Sequence, residues 1–183
     1  MIIIVEGMDG TGKTTLVQQL AYRLKVEPRK FVGSLGPSDD DRLVLVKRTK
    51  SEISELETTL AKGEPVKRLY DRFPLISEAV YGSVLRGRNS FGGLYYPLRV
   101  RLLALKTVII YCRPGTNVIR ANVQKAPQMS GVLEHFGELL DAYDKLFMEL
   151  TESPVNSYIT VYNYTRDDVQ DLISRIRRFY NHG

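Results

Sequence analysis

The sequence predicts an α/β fold in which one parallel β-sheet is flanked by helices. Short apolar runs rich in Ile, Val and Tyr alternate with segments of helical periodicity, which is the pattern of β-α-β units. The first run, residues 2–5, is continuously apolar, as expected of a strand buried on both faces. The length of 183 residues suits one domain with a sizeable core, so we expect residues 1–183 to form a single domain.

The first half of the chain alternates three strands with three helices. Leu16, Leu20 and Leu24 recur every four residues and predict one buried helix face. Ser38, followed by three aspartates, predicts the start of the second helix, and Gly63 predicts its end. We therefore predict strands at residues 2–5, 30–32 and 66–70, and helices at 13–25, from 38 to about 60, and at 78–85.

The second half continues the alternation. Pro97 is tolerated in the first turn of a helix, and Thr165 is a candidate cap for the last helix, whose apolar positions begin at Val169. The clearest later strand ends at Cys112, just before Pro114. We predict helices at residues 97–105, 115–125, 131–150 and after 165, and strands at 107–112 and 158–162.

Composition narrows the class of protein. The chain is 43% hydrophobic and 26% charged, which is typical of globular proteins, and we expect neither a membrane span nor a signal peptide. The single Cys112 excludes an internal disulfide and favours a cytoplasmic location, and two His with one Cys argue against a zinc site. The net charge of +5 and pI near 9.3 fit a polynucleotide partner, a free nucleotide or only a solvated basic surface.

A glycine-rich turn between the first strand and the first helix has the spacing of a phosphate-binding P-loop. Four residues separate Gly7 from Gly12, and Lys13 and Thr14 follow. The glycines let backbone N–H groups point inward, the lysine reaches the outer phosphates, and the threonine hydroxyl is a ligand for Mg²⁺. The predicted nucleotide-binding residues here are Gly7, Asp9, Gly10, Thr11, Gly12, Lys13, Thr14 and Thr15.

Asp71 and Arg72 follow the third predicted strand. Ligands of open α/β sheets bind outside the carboxyl ends of the strands, so both residues should lie near the P-loop. The carboxylate of Asp71 can hold Mg²⁺ through water or take the proton of an acceptor. The guanidinium of Arg72 can bind a phosphate through two parallel hydrogen bonds. A surface turn is the alternative, and the P-loop upstream favours the functional interpretation.

These motifs resemble those of the thymidylate kinase family and its phage-type deoxynucleotide kinase relatives. The resemblance is carried by residues 6–15, 71–73 and 77–82, and the order of elements agrees over essentially the whole chain. It implies a P-loop kinase fold with a five-stranded parallel sheet in the order 2-3-1-4-5 and a short lid at about 113–131. It also implies Mg-ATP-dependent phosphorylation of a deoxynucleotide-like acceptor.

The resemblance also implies roles for single residues. Asp9 would meet the acceptor sugar or its bound phosphate, and Asn163, with its neighbours Tyr164 and Thr165, would lie near the adenine of ATP. Thr14 and Asp71 would serve the metal ion. The implied catalytic residues are Lys13, Asp71, Arg72 and, as lid cations, Arg113 and Arg120.

The chain departs from the family at two places. The lid usually carries two or more arginines, whereas here Arg120 and Lys125 precede the uncharged residues 126–131, and Arg113 would substitute in part. Residues 33–37 replace a Glu-Pro-Gly pattern, which leaves the acceptor base open. Five further residues lie where the family gathers acceptor contacts: Arg86, Arg88, Tyr95, Tyr96 and Arg99. For Tyr95 and Tyr96, packing is the alternative.

Three functions are compatible with these observations. The leading one is a deoxynucleoside monophosphate kinase of thymidylate kinase type. The second is a kinase that modifies DNA by phosphorylating a hydroxymethylated pyrimidine, such as 5-hydroxymethyluridine, as in some bacteriophages; it would act in the cytoplasm of the host cell. The third is a nucleotide-binding regulator without catalysis. The expected partners are ATP, Mg²⁺ and a nucleotide-like acceptor, with DNA as an alternative acceptor, a homodimer as a possible assembly and no membrane.

Overall fold

Five parallel strands and seven helices form the described part of the chain. The computed structural model describes residues 1–31, 39–125, 127, 129–152 and 156–181, with Asp39 and Asp40 described by their backbone alone. The strands are β1 (Ile2–Glu6), β2 (Pro28–Lys30), β3 (Arg68–Asp71), β4 (Thr107–Cys112) and β5 (Tyr158–Tyr162). The helices are α1 (Lys13–Leu24), α2 (Asp39–Ala61), α3 (Pro74–Arg86), α4 (Tyr95–Ala104), α5 (Thr116–Gln124), α6 (Phe136–Glu152) and α7 (Val169–Asn181).

The strand order is β2-β3-β1-β4-β5, with every neighbouring pair parallel. This confirms the predicted α/β class and the order 2-3-1-4-5. The central strand β1 pairs with β3 from Ile2↔Arg68 and with β4 from Ile2↔Thr107. Since β1 is central and its carboxyl end leads into the glycine turn, that turn lies at the edge of the sheet where ligands of such folds bind.

Alternate residues of the central strands face two separate cores. Ile2 and Ile4 belong to a core with residues of α2 to α6, whereas Ile3 and Val5 pack with α1 and α7. All four side chains are buried, as the continuous apolar run predicted. The molecule therefore has three layers, with the sheet in the middle.

The second strand corrects a prediction. It spans Pro28–Lys30, not residues 30–32, because pairing with β3 decides its position: Pro28 lies opposite Leu69 and Lys30 opposite Asp71. All three of its residues are exposed, and a proline is acceptable on an edge strand. Val32 and Ser38, which the sequence placed in this strand and at the start of α2, lie outside the described residues.

Several helix boundaries also differ from the predicted ones. Helix α3 begins at Pro74, four residues before the predicted start, because proline suits the first helical position. Helix α6 begins at Phe136 rather than residue 131, since Gly131 has a left-handed φ of 85° that interrupts a helix. Smaller shifts elsewhere are of one or two residues.

The predicted cap of the last helix is wrong. Thr165 donates its hydroxyl to Asn163 Oδ1 at 2.7 Å and lies four residues before α7 begins. The carboxylate of Asp168 accepts from the backbone N–H of Gln170 instead, which is the bond of a helix N-cap. Asp and Thr are both good caps, so the sequence alone did not distinguish them.

No helix in the described ranges is long and apolar enough to cross a membrane.

Candidate active site

The turn after β1 folds into a tight loop because its glycines adopt conformations and contacts closed to other residues. Gly7 has a φ of 139°, and a Cβ there would lie 2.7 Å from the carbonyl oxygen of Cys112. The Thr11 hydroxyl donates to the carbonyl oxygen of Met8 at 2.7 Å and closes the loop from inside. The loop is therefore pressed against the end of β4, with its backbone shape set before any ligand is bound.

Lys13 also lies inside this loop. Its Nζ donates to the same Met8 oxygen at 2.6 Å, and the residue is only 7% exposed. Burial, with repulsion from Arg72, lowers the pKa of Lys13 to about 8. The ammonium is thus poorly solvated near neutral pH, which favours its transfer to an anion such as a phosphate.

A cleft of about 520 Å³ opens beside the loop. It brings together residues from the P-loop and α1 with residues from the carboxyl ends of β2 and β3, as the position at the sheet edge predicts. Gly7 and Thr11 shape the loop from behind it. The lining residues are Asp9, Gly10, Gly12, Lys13, Thr14, Thr15, Lys30, Phe31, Asp71, Arg72 and Asn122.

Arg72 is held at the centre of a polar network. Its Nη2 donates to Asp9 Oδ1 at 2.6 Å and to the Tyr81 hydroxyl at 3.1 Å, and its Nη1 donates to the Tyr143 hydroxyl at 3.4 Å. Burial alone would lower the pKa of Arg72, but Tyr143, Tyr81, Asp9 and Glu6 together raise it above its ordinary value. Its backbone has a φ of 69°, which is uncommon for a residue other than glycine and typical of functional sites.

Both oxygens of the Asp9 carboxylate are engaged. Oδ1 accepts from Arg72, and Oδ2 accepts from the Tyr81 hydroxyl at 3.1 Å. Burial raises the pKa of Tyr81 to about 12, so this hydroxyl keeps its proton at neutral pH. Tyr81 therefore fixes Asp9, and Asp9 fixes Arg72. Tyr81 lies within the motif of residues 77–82, although the sequence analysis assigned it no role, whereas no local spacing links Tyr143 of α6 to the loop.

Glu6 is a buried residue of the site that sequence reasoning left out. It is fully buried, and its carboxylate accepts from the Phe73 N–H at 2.6 Å and from the Ser77 hydroxyl at 3.0 Å. Burial raises the pKa of Glu6, and the charge of Arg72 partly offsets this. Glu6 joins the start of the P-loop to the turn between β3 and α3, so it holds both motifs in register. Its position directly before Gly7 was the available signal.

Lys30 and Phe31 form the far wall of the cleft. Lys30 Nζ lies 3.4 Å from Asp71 Oδ2, and the Phe31 ring packs against Tyr70 and Phe73, at centroid distances of 5.9 and 5.1 Å. A cation beside an aromatic face can hold a base and a charged group together. Neither residue was predicted, because their strand was placed two residues too late.

The donor set suits a magnesium ion. Thr14 is exposed to the cleft, and the Asp71 carboxylate lines the same space. Mg²⁺ prefers oxygen ligands and is usually bound through one or two carboxylates plus substrate phosphates. In the described ranges, no cluster of three or more His, Cys, Asp or Glu could hold a metal by itself.

Besides Gly7 and Thr11, three predicted site residues lie outside the lining of this cleft: Arg113, Arg120 and Asn163. Arg113 forms a two-point ion pair with Asp144, at 2.8 and 2.9 Å, and the guanidinium of Arg120 lies 5.1 Å from the Phe136 ring centroid. The Asn163 side chain accepts from the backbone N–H and the hydroxyl of Thr165 and so shapes its own turn. Their roles toward a nucleotide stay predictions.

The five undecided residues of the middle segment have structural contacts. Arg86 pairs with buried Glu78, and Arg99 lies 3.7 Å from Glu149 and over the rings of Tyr95 and Tyr96. None of the five is among the described residues that line the cleft. Arg86, Tyr95 and Arg99 have packing contacts, whereas Arg88 and Tyr96 are exposed, so a role of these two toward an acceptor stays a prediction.

The whole chain matches solved structures at low sequence identity. The YorR protein of Bacillus subtilis, in complex with phosphorylated GDP, superposes with a TM-score of 0.73 at 16% identity, covering 100% of this chain and 99% of that one. The deoxyadenosine kinase of M. mycoides with bound dATP gives a TM-score of 0.60 at 17% identity, covering 99% and 100%. The same kinase with dCMP and dCDP gives 0.54 at 17%, covering 100% of both chains.

The fold is the P-loop kinase fold. No protein-family model matches the chain, and no curated protein matches it significantly. Two of these three structures are of a deoxyadenosine kinase, and the narrower resemblance to thymidylate kinases and their phage relatives stays a prediction from the sequence motifs.

Proposed function

We propose that this protein is a kinase that transfers a phosphoryl group from Mg-ATP to a nucleoside or nucleotide acceptor. The observation that carries the proposal is that the P-loop residues Lys13 and Thr14 share one cleft with Asp71 and Arg72. Phosphoryl transfer needs mainly positioning and charge stabilisation. A cleft with a phosphate cradle on one side and a carboxylate with a guanidinium on the other supplies both.

The donor side would bind the triphosphate. Backbone N–H groups of the loop and the N-terminus of α1 attract the phosphates, and Lys13 would leave the Met8 oxygen to contact them. Thr14 and Asp71 would hold Mg²⁺, which neutralises phosphate charge when bound. Asp71 would also lie near the acceptor hydroxyl, where a carboxylate can accept its proton.

The charges of the cleft favour an acceptor that presents a hydroxyl without its own phosphate. The lining has three cations, Lys13, Lys30 and Arg72, and two carboxylates, Asp9 and Asp71. Outside the donor side, each cation already faces a carboxylate, at 3.4 Å for Lys30 and 2.6 Å for Arg72. A phosphate dianion there would be repelled by both carboxylates as well as attracted by both cations, so the paired charges leave it little net attraction. A deoxynucleoside avoids this repulsion.

A deoxynucleoside monophosphate is the second candidate acceptor. Its support is that Lys30 and Arg72 both line the acceptor side and could exchange their carboxylates for a phosphate once Asp71 binds the metal ion. The neighbours include a deoxyadenosine kinase, which points to the nucleoside, and a protein with phosphorylated GDP, which points to a nucleotide. The likeness itself extends only to the fold.

The experiment is a transfer assay with γ-labelled ATP and three acceptor sets. The sets are the deoxynucleosides, their 5′-monophosphates, and duplex DNA that contains 5-hydroxymethyluridine. We expect the label on at least one deoxynucleoside. Label only on monophosphates would support the second candidate, and label only on DNA would support the modification kinase. ATP binding without transfer to any acceptor would contradict a kinase and support a regulator.

A further inference from the structure

The carbonyl oxygen of Gly10, at the crest of the P-loop, is bound by a side chain from another element. Asn122, on α5, donates its side-chain amide to this oxygen at 2.9 Å and to the Tyr164 hydroxyl at 3.0 Å. A carbonyl oxygen can only accept, so the NH₂ group of Asn122 and not its oxygen must face Gly10. The chemistry of the contact therefore requires a donor at position 122.

This contact fixes the orientation of a whole peptide group. The described residues contain no cis peptide bond, and in a trans peptide the C=O and the N–H point in opposite directions. Holding the Gly10 oxygen on α5 therefore directs the N–H of Thr11 to the opposite side of the loop. Backbone N–H groups are the donors with which a P-loop binds phosphate.

Helix α5 and the Tyr164 ring both pack closely against the loop. A Cβ at Gly10 would lie 2.8 Å from the Val123 side chain, and one at Gly12 would lie 2.8 Å from the Tyr164 ring. The loop therefore has little room to move toward either of them, and Asn122 joins the two through its bond to the Tyr164 hydroxyl. Rotation of the Gly10–Thr11 peptide would break the hydrogen bond to Asn122.

We propose that Asn122 is a positioning residue for the phosphate cradle, which it holds in the form that binds a polyphosphate, and that Tyr164 holds Asn122 in turn. The inference rests on the donor half of the proposed function and not on the acceptor or on catalysis. It assigns to α5 a role toward the phosphates that does not depend on the lid cations.

The test is calorimetric titration of inorganic tripolyphosphate and of ATP into folded variants. Asn122→Ala should weaken both ligands by the same factor, about tenfold, because the cradle and not the base contact is lost. The isosteric Asn122→Asp should weaken both more, about a hundredfold at pH 8, because a carboxylate would face the Gly10 oxygen. Near pH 5 a protonated aspartate can donate a hydrogen bond to the Gly10 oxygen, so the loss of affinity of Asn122→Asp relative to wild type should be smaller there. Asn117→Ala, on the exposed side of the same helix, is the matched control and should change neither affinity.

Two results would overturn the inference. Unchanged tripolyphosphate affinity in Asn122→Ala would do so, even if ATP bound more weakly, since Asn122 would then contact the nucleoside. Equal losses in the Ala and Asp variants at every pH would reduce Asn122 to a packing residue. Wild-type protein that binds neither ligand would instead contradict the donor site of the proposed function, so the two failures are distinguishable.

Discussion

Charged side chains in the cleft are held in pairs before any ligand arrives. Arg72 is paired with Asp9, and Lys30 lies against Asp71. Lys13 differs, because its hydrogen-bond acceptor in the loop is the neutral carbonyl oxygen of Met8. A buried ammonium bound only to a carbonyl is poised to move to a phosphate, since its present site does not compensate its lost hydration.

This state of Lys13 predicts a pH dependence of ATP binding. The pKa of Lys13 is lowered to about 8 by burial and by Arg72, and a bound triphosphate would raise it. Above pH 8 the free protein loses this proton, so binding must take it up again and ATP affinity should fall, by up to tenfold per pH unit. Below pH 8 Lys13 is protonated in both the free and the bound protein, so its titration should not change the ATP affinity there. Titrations of ATP from pH 7 to 10 check this, and Lys13→Met should abolish the fall; an identical fall in that variant would assign it to another group.

Substitutions of Asp71 and of Arg72 should change different kinetic constants. Asp71→Asn should lower kcat by about 10²- to 10⁴-fold, because the lost carboxylate acts in the chemical step. Arg72→Ala should raise the acceptor KM and leave the affinity for ATP almost unchanged. Tyr81→Phe tests the supporting network separately, since it keeps the ring and removes the hydroxyl that contacts both Asp9 and Arg72. An Arg72→Ala variant with weakened ATP binding alone would place Arg72 on the donor side.

At the scale of elements, sequence reasoning found the parts of the site whose residues lie close together in the chain. The P-loop and the Asp71–Arg72 pair have a fixed local spacing after a strand, and both line the cleft. The residues that support them from other elements, Tyr81, Tyr143 and Asn122, were assigned no role, although Tyr81 lies within the motif of residues 77–82. Their contacts with the loop and with Arg72 depend on how α3, α5 and α6 pack on the sheet, and an ordinary helical tyrosine or asparagine carries no local mark of that.

The lid segment is where the sequence motif and the structure differ most. Arg113 ties the end of β4 to α6 through its ion pair with Asp144. Partial burial acts to raise the pKa of Asp144, but hydrogen bonds from Arg113 and Tyr111 lower it below its ordinary value. We expect the Arg113→Ala, Arg120→Ala double variant to lower kcat by about 10²-fold if either cation reaches the transferred phosphoryl group. Asp144→Asn separates the effect on kcat from an effect on the stability of the fold, because it breaks the ion pair with Arg113 and keeps both cations. Full kcat in the double variant would mean that the stabilising charge comes from elsewhere.

At the scale of the molecule, the fold class and strand order could be predicted because period and alternation are properties of long segments. Continuous apolar runs predicted β1 and β4, and the alternation of strands with helices predicted a parallel sheet. The edge strand β2 was misplaced because it is short and exposed, so no burial pattern records its register. The acceptor could not be predicted from local spacing, since the cleft where we propose that it binds is assembled from residues near β2, β3 and the P-loop.

The net charge of +5 is compatible with both a free acceptor and a DNA acceptor. The dependence of acceptor binding on salt concentration distinguishes them. The KM of a free nucleoside should change less than about threefold between 50 and 300 mM salt, because few charges are exchanged. Binding of DNA would release several counterions, and its log affinity would fall linearly and steeply with log salt. A steep slope for the accepted substrate would contradict the small acceptor that we propose.

The central claim is that the cleft around Lys13 performs phosphoryl transfer, and turnover by Lys13→Ala tests it most directly. The variant should keep the circular dichroism spectrum of the wild type, because the hydrogen bond that the Lys13 ammonium makes in the described structure is local, to the loop carbonyl of Met8. Its kcat with the accepted substrate should fall by about 10³-fold or more, since it lacks the cation that contacts the outer phosphates. A folded Lys13→Ala protein with near wild-type turnover would contradict the account.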